Sequence, residues 1–258
     1  MREKTILLTN DDGLASPSLE PMQRELSEFA RVVTVVPESQ RSWIGKAITR
    51  HSPVRVRRMK RDFHAISGTP ADCVQLGVFH LFREKPALIV SGINLGENIG
   101  ISHFFSSGTI GATIEGAILG VKGVAFSRRV RFGRPENSRN YSWAAPAKIA
   151  GKICRDLLGK FPEKADLINV NFPESRVSEK TPWKITSLTN LKYGSIFRRS
   201  GREFHNWGGV HKPEFGKGTD ALALKKGFIS ITPVKLSLEI PRIRLAQPSG
   251  RMKKSIEK

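Results

Sequence analysis

Short β-branched runs separated by segments of helical spacing fill the first half of this chain, and that alternation leaves few architectures open. Thr5 to Thr9 reads as a buried strand. Leu19, Met22, Leu26 and Phe29 follow at helical spacing, and Arg31 to Val36 is a second β-branched run. Ser52 to Met59 alternates Val54 and Val56 with arginines, which predicts a half-exposed strand. Thr69-Pro70 is a cap followed by proline at the first helical position, so a helix is expected through Phe82. Ala87 to Val90 is another short strand, followed by a glycine-rich loop from Gly92 to Gly108, a helix from near Thr109 and a strand at Val124 to Ser127. Such a pattern predicts an α/β fold with a mostly parallel sheet and helices on both faces.

The second half is less regular. Tyr141 to Leu158 reads as a helix and Leu167 to Phe172 as a strand, whereas Pro173 to Gly218 is polar and rich in Gly and Pro with no strong period. Trp183 to Leu188 and Phe228 to Ile231 are β-like. The expected organisation is a catalytic core over residues 1–172, a β-rich arm over 173–240 that serves oligomer contacts and returns to the core, and a basic, flexible tail over 241–258.

In an open parallel sheet, ligands sit beyond the C-terminal ends of the strands. The loops 10–17, 37–46 and 92–108 each follow a predicted strand, so they should meet on one edge. Asn10-Asp11-Asp12-Gly13 is the first. Asp-Gly alone reads as a turn, but adjacent carboxylates at the end of a buried strand repel one another unless a cation lies close by. In the second loop, the Ser42 hydroxyl is available as a neutral oxygen ligand, although serine is common in loops for turn reasons. In the third, glycines at 92, 96 and 100 let the backbone approach a ligand closely. They fit neither the dinucleotide fingerprint nor a Walker loop. Asn94 offers a carbonyl oxygen to a hard cation, and Asn98 an amide donor to an oxyanion. Ser107-Gly108-Thr109 opens a helix; it reads first as an N-cap and second as a phosphate cradle. Two carboxylates, a hydroxyl and an amide suit one magnesium or manganese ion better than zinc.

Charge and cysteine usage narrow the setting. The formal charge is +20. Lys46 to Arg61 holds seven Lys/Arg and no acid, Arg128 to Arg139 five against Glu136, and Pro241 to Lys258 six against Glu257. That field attracts phosphorylated substrates and, nonspecifically, nucleic acid; solvated surface is the plain alternative. Cys73 and Cys154 make neither a zinc spacing nor a disulfide framework. No run approaches a membrane span, and Met1 leads straight into a short apolar run followed by acids rather than a cleavage site. A cytoplasmic protein without a membrane partner is the expectation. His51, His64, His80, His103, His205 and His211 lack metal-ligand spacing, and His103 alone lies in the glycine-rich loop.

In their order, these motifs resemble the SurE survival-protein nucleotidases. The matching segments are Leu8 to Gly13, Pro37 to Ser42, Gly68-Thr69-Pro70-Ala71-Asp72-Cys73-Val74, and Ser91 to Gly100 followed by Ser107-Gly108-Thr109. A weaker match joins Gly218-Thr219-Asp220 with Gly227 to Pro233, so the likeness spans roughly residues 5 to 233. It implies a Rossmann-like core, a β arm that builds homodimers or homotetramers, and hydrolysis of nucleoside 5′- and 3′-monophosphates and of short polyphosphate. It places metal ligands on Asp11, Asp12, Ser42 and Asn94, and phosphate-binding positions on Asn98, Ser107, Gly108 and Thr109. Ser16-Pro17-Ser18 departs from the family's usual Ala-Pro-Gly, and the segment Ile101 to Ser106, with His103, Phe104 and Phe105, is about one residue longer than usual. Both departures bear on substrate preference.

The chemistry expected is a metal-polarised phosphate attacked by a metal-bound water, with Asp11 or Asp12 as general base and helix N–H groups on the equatorial oxygens. An aspartyl-phosphate route usually needs an Asp-x-Asp pattern, which adjacent acids do not supply. A basic nucleic-acid-binding protein without catalysis accounts for the charge but leaves the Asn10–Gly13 and Ser91–Gly100 loops unexplained. A dinucleotide oxidoreductase lacks the glycine fingerprint after the first strand.

Overall fold

The apolar runs become strands because each can be buried on both sides. A computed structural model describes residues 4–130, 141–208 and 215–237. Its strands are β1 (Thr5–Thr9), β2 (Arg31–Pro37), β3 (Val56–Lys60), β4 (Phe63–Ile66), β5 (Leu88–Leu95), β6 (Gly123–Arg128), β7 (Leu167–Phe172), β8 (Trp183–Ile185), β9 (Phe197–Ser200), β10 (Glu203–Asn206) and β11 (Ile229–Val234). The helices are α1 (Leu19–Ser27), α2 (Pro70–Leu76), α3 (Gly100–Ser106), α4 (Gly108–Ile118), α5 (Ala144–Gly159) and α6 (Asp220–Lys225). The expected tail and His211 lie outside the described residues, as does most of the Arg128–Arg139 segment.

The main sheet has the order β3-β4-β2-β1-β5-β6-β7-β11-β8. From β4 through β7 the neighbours are parallel, while β3 and β11 run antiparallel to β4 and β7. Side chains alternate across the strands. Ile6 and Leu8 join a core with Leu19, Met22 and Leu26 of α1 and Ala147, Ala150 and Cys154 of α5. Leu7 faces the other way, toward Val74 of α2 and Ala112 of α4. Helices thus cover both faces, and the fold is α/β and Rossmann-like. The chain runs outward from β1 to β2 in one direction and returns to place β5 on β1's other side. The crevice between the C-terminal ends of β1 and β5 is therefore the topological switch point, where such sheets bind ligands.

Several boundaries differ from the sequence expectation for physical reasons. The stretch read as one glycine-rich loop contains the end of β5 and all of α3. Gly92, at φ +116°, sits so close to β6 that a Cβ there would lie 2.1 Å from the Phe126 carbonyl oxygen. The pairing register shifts between Ser91 and Asn94, and the strand then continues to Leu95. The helix from Pro70 is α-helical only to Leu76 and ends in a π turn over Gly77–Leu81. The strand expected half-exposed over Ser52 to Met59 is β3, exposed along its whole length because it pairs only with β4 at the sheet edge. The helix expected from Tyr141 starts at Ala144. In the second half, β8 and β11 extend the main sheet, and β9 with β10 forms a separate two-stranded ribbon.

Candidate active site

The turn after β1 is built by its own first residue. The Asn10 side chain accepts from Gly13 N–H at 3.0 Å and donates to the Gly13 carbonyl at 3.1 Å, closing an Asx turn that fixes both acids. Gly13, at φ +77°, leaves room for the next loop, since a Cβ there would meet the Ser39 backbone at 2.9 Å. The loop carrying Ser42 is tied to the same turn by the Arg41 N–H, which donates to the Asp11 carbonyl at 2.7 Å.

Asp11 is buried and points at the start of α4. Its Oδ1 accepts from the Thr109 hydroxyl at 2.6 Å, and a carboxylate at a helix N-terminus is favoured by the peptide dipoles. The approach is so close that a Cβ on Gly108 would lie 2.8 Å from Asp11 Cβ. Asp12 faces β5: its Oδ2 accepts from Leu95 N–H at 3.2 Å, one residue past Asn94. Asn94 is half-buried, and its side-chain amide donates to the Gly96 carbonyl at 2.8 Å. Ser42 is exposed, its hydroxyl accepting from Gln40 Nε2 at 2.8 Å.

Charge in this corner is unbalanced. Burial pushes the Asp11 carboxyl above its ordinary range, partly offset by the Thr109 hydroxyl. Burial and then the neighbouring Asp11 charge push Asp12 up to about 8. No basic side chain among the described residues forms an ion pair with either acid. Two oxygen-rich side chains that cannot both ionise comfortably, with an amide at the end of β5 and a hydroxyl on the loop after β2, fit a hard divalent cation. Among the described residues no cluster of three His, Cys, Asp or Glu exists that would suggest a different kind of centre.

The remaining residues singled out in the sequence divide by what they touch. Ser107 is buried, and its hydroxyl caps α4 by accepting from Ile110 N–H at 3.2 Å. Asn98 is buried, with its amide nitrogen donating to Ser127 Oγ at 2.8 Å. Asn98 is held by a network that sequence reasoning missed: its N–H donates to Asn171 Oδ1 at 2.8 Å, and Asn169 Nδ2 donates to its carbonyl at 2.7 Å. A signal was available, because Asn169 and Asn171 stand two apart in the otherwise apolar β7 and so share a face. The Gly68–Val74 motif is a capping box in which Thr69 and Asp72 satisfy each other's backbone, while Asp72 also holds Thr49. Ser18, standing where the resembling family has glycine, donates to the Ile93 carbonyl at 2.6 Å and links α1 to the β5 bulge. His103 packs its ring 5.1 Å from that of Tyr193. Burial holds it below its ordinary pKa.

A parallel α/β sheet with paired acids, an asparagine strand end and a helix N-terminus gathered at its switch point defines a Rossmann-like protein with a candidate active site at that edge. Residues 6–195 match the family "Survival protein SurE". A "5′-nucleotidase SurE" of Methanococcoides burtonii is 37% identical over 252 residues, covering 92% of this chain and 95% of the relative. One of the same name from Methanocaldococcus jannaschii is 36% identical over 255 residues, covering 92% and 94%. The crystal structure of the SurE protein from Aquifex aeolicus superposes with a TM-score of 0.77 at 34% identity, covering 91% of this chain and 94% of the other. The chain belongs to the SurE family.

Proposed function

We propose that this chain is a divalent-metal-dependent phosphomonoesterase that hydrolyses nucleoside 5′- and 3′-monophosphates, and short polyphosphate, to release phosphate. The observation that carries the reading is the meeting of Asp11 and Asp12, without a basic partner among the described residues, with the Asn94 strand end and the α4 N-terminus. Relatives bearing the name 5′-nucleotidase, 34 to 37% identical over nine-tenths of the chain, support the substrate class.

Asp11, Asp12, Ser42 and Asn94 would hold one Mg²⁺ or Mn²⁺. When bound, such an ion supplies Lewis acidity to a phosphoryl oxygen and a more acidic water. The chain's own residues do the rest. Thr109 fixes one oxygen of Asp11, leaving Asp12, the more open of the two acids, better placed to accept a proton. Ser107, Gly108 and Thr109 present the start of α4 to the phosphate, and Asn98 keeps one amide hydrogen beyond that given to Ser127. Homodimers or homotetramers form through the β9–β10 ribbon, whose Phe197 and Phe204 are exposed and need a partner surface. No helix among the described residues is long and apolar enough to cross a membrane; a cytoplasmic setting is part of the proposal and rests on the cysteine usage, two thiols without a disulfide framework.

One observation favours a second reading. The Arg57, Arg58 and Lys60 side chains lie on an exposed edge strand, where a polyanion can reach them. Phosphate release from a panel of nucleotides and polyphosphates, with and without chelator, tests the first reading. Asp11→Asn separates the two: release is expected to be abolished and salt-sensitive DNA retention kept. Release that survives both chelator and Asp11→Asn would sink the metal assignment, and a flat response over the panel would sink the nucleotide one.

A further inference from the structure

A stack of three rings rises beside the candidate active site, and neither the metal reading nor the phosphate reading uses it. The loop that carries Ser42 continues into Trp43, whose backbone is in the left-handed region at φ +57°. That conformation is uncommon for a bulky residue, and strain of this kind gathers at ligand sites. Trp43 stacks on Tyr193 with ring centroids 4.7 Å apart and planes 15° from parallel. Tyr193 is pinned from α3, because its hydroxyl shares a 2.6 Å hydrogen bond with Ser106 Oγ and its N–H donates to Ser102 Oγ at 3.0 Å. His103 packs against the same tyrosine ring. The Gly45 N–H, two residues on, donates to the Ser106 carbonyl at 2.8 Å, so both ends of the stack are anchored to α3.

Nevertheless Trp43 remains 46% exposed. A tryptophan fixed on one face and open elsewhere is a preformed aromatic shelf, needing little ordering before a second flat ring settles on it. Its position decides which ring. Trp43 lies between Ser42, a candidate metal ligand, and Ile44, whose side chain touches the start of α4 beside Asp11: a Cβ on Gly108 would lie 2.9 Å from Ile44 Cγ2. With consecutive Cα atoms about 3.8 Å apart, the shelf stands one residue from the phosphate end of the site, within a nucleoside's length.

We infer that Trp43, buttressed by Tyr193 and His103, is the nucleobase-stacking subsite of this enzyme and sets its preference for nucleotides over base-free phosphate esters. This inference rests on the nucleotidase reading and adds to it the part of the substrate that is recognised. Stacking is tolerant of base identity because every base has a π face. Purines, with the larger overlap, gain more than pyrimidines. No hydrogen-bond readout of the base is implied.

The test compares adenosine 5′-monophosphate with ribose 5-phosphate, which carries the same phosphate and sugar without a base. Steady-state kinetics and calorimetric binding with Mn²⁺ are measured for the wild type, Trp43→Ala, Trp43→Phe and Trp43→Gly. The glycine variant removes the ring and suits the positive φ, so it keeps the question open to an answer should the alanine variant not fold. The expected result is a loss of roughly tenfold or more in the preference for the nucleotide, carried by KM and by binding, and largely restored in Trp43→Phe. Equal losses on both substrates would make Trp43 a mere prop for the loop and overturn the inference, as would a wild type that treats both substrates alike. Nucleotide binding that depends on Trp43 without any phosphate release would sink the nucleotidase reading and leave the shelf standing.

Discussion

The two edges of the parallel sheet treat aspartate in opposite ways. At the strand N-termini, Asp166 leads into β7 and accepts from Lys122 Nζ at 2.9 Å, Lys235 Nζ at 3.0 Å and Leu236 N–H at 3.0 Å. Those partners, the Lys122 hydrogen bond foremost, hold its carboxyl down at about 2. At the strand C-termini, burial and the Asp11 charge drive Asp12 up to about 8. One edge spends its acid on joining the ends of β6, β7 and β11. The other leaves two acids without a basic partner among the described residues, which costs stability in the bare chain and is the reason a cation is proposed there. Carboxyls displaced in this direction by burial and by each other gather at functional sites.

The widest separation between the edges is expected for Asp12→Asn. Phosphate release falls by roughly a thousandfold, because a proposed metal ligand and a candidate base are lost together. The melting temperature in chelator at neutral pH rises by a few degrees, since burial and then the Asp11 charge make this carboxyl costly to hold in the folded chain at any pH above 3.8, and an amide carries no such cost. Mn²⁺ is expected to raise the melting temperature of the wild type and to leave that of the variant unchanged. Thermal melts with and without chelator check the last two points. A variant that is less stable in chelator than the wild type would break the comparison, because Asp12 would then be an ordinary structural acid.

Next comes Gly108→Ala. Its Cβ would lie 2.8 Å from Asp11 Cβ and 2.9 Å from Ile44 Cγ2, neither of them the loose end of a long side chain. The start of α4 and Asp11 must part, at a cost of about 1–3 kcal/mol. The Thr109–Asp11 hydrogen bond lengthens with them, and kcat should fall by about tenfold or more while the fold survives. Denaturant unfolding alongside kinetics measures both. Full activity in a folded Gly108→Ala protein would show that the Asp11 position at the helix tip is not needed.

Asn171→Leu takes the contrast to a smaller scale. It leaves the buried Asn98 N–H without its acceptor, at a cost of about 1–3 kcal/mol. Because Asn171 acts only through Asn98, the proposed phosphate-binding residue, stability should fall more than affinity for phosphate. Unfolding midpoints compared with inorganic phosphate inhibition check this. A large loss of phosphate binding at unchanged stability would place Asn171 in the site itself.

The sheet was legible from the sequence because β1, β2 and β7 are buried on both faces and leave runs whose interiors are apolar but for Thr34 in β2 and Asn169 and Asn171 in β7, while α1 shows its buried Leu19, Met22 and Leu26 at helical spacing. The candidate acids stood out for a related reason, since Asn10-Asp11-Asp12 directly follows a buried strand. Helix α3 was not. It opens at Gly100 with φ +65°, and its first turn is held from outside, by Ile101 and Ser102 N–H groups donating to the Thr189 and Leu191 carbonyls. A seven-residue helix completed by contacts some ninety residues away leaves no local period to read. Long separations along the chain also hid the Trp43–Tyr193 stack and the bonds of Asn98 to β7. The Asp11–Thr109 hydrogen bond was half visible: both residues stood out separately, but only the packing of α4 onto the β1 turn reveals that one satisfies the other.

The smallest effect belongs to the opposite edge, where the sign of the pH dependence is the informative quantity. Asp166 is lowered from an ordinary 3.8 to about 2. Its contribution is therefore whole above pH 3.8 and is lost as pH falls toward 2. Lys122 and Lys235 are 39% and 54% exposed, so solvent and salt screen the pairs and the contribution stays under about 1 kcal/mol. Asp166→Asn should lower stability at neutral pH by that amount and flatten the acid limb of the stability curve below pH 4. Phosphate release should stay within about twofold, because this acid touches no residue of the candidate site. Salt should shrink the difference further, unlike the effect of Asp12→Asn, which is sheltered by burial. Were Asp166→Asn to impair phosphate release as strongly as Asp12→Asn does, the division of labour between the two edges would be wrong.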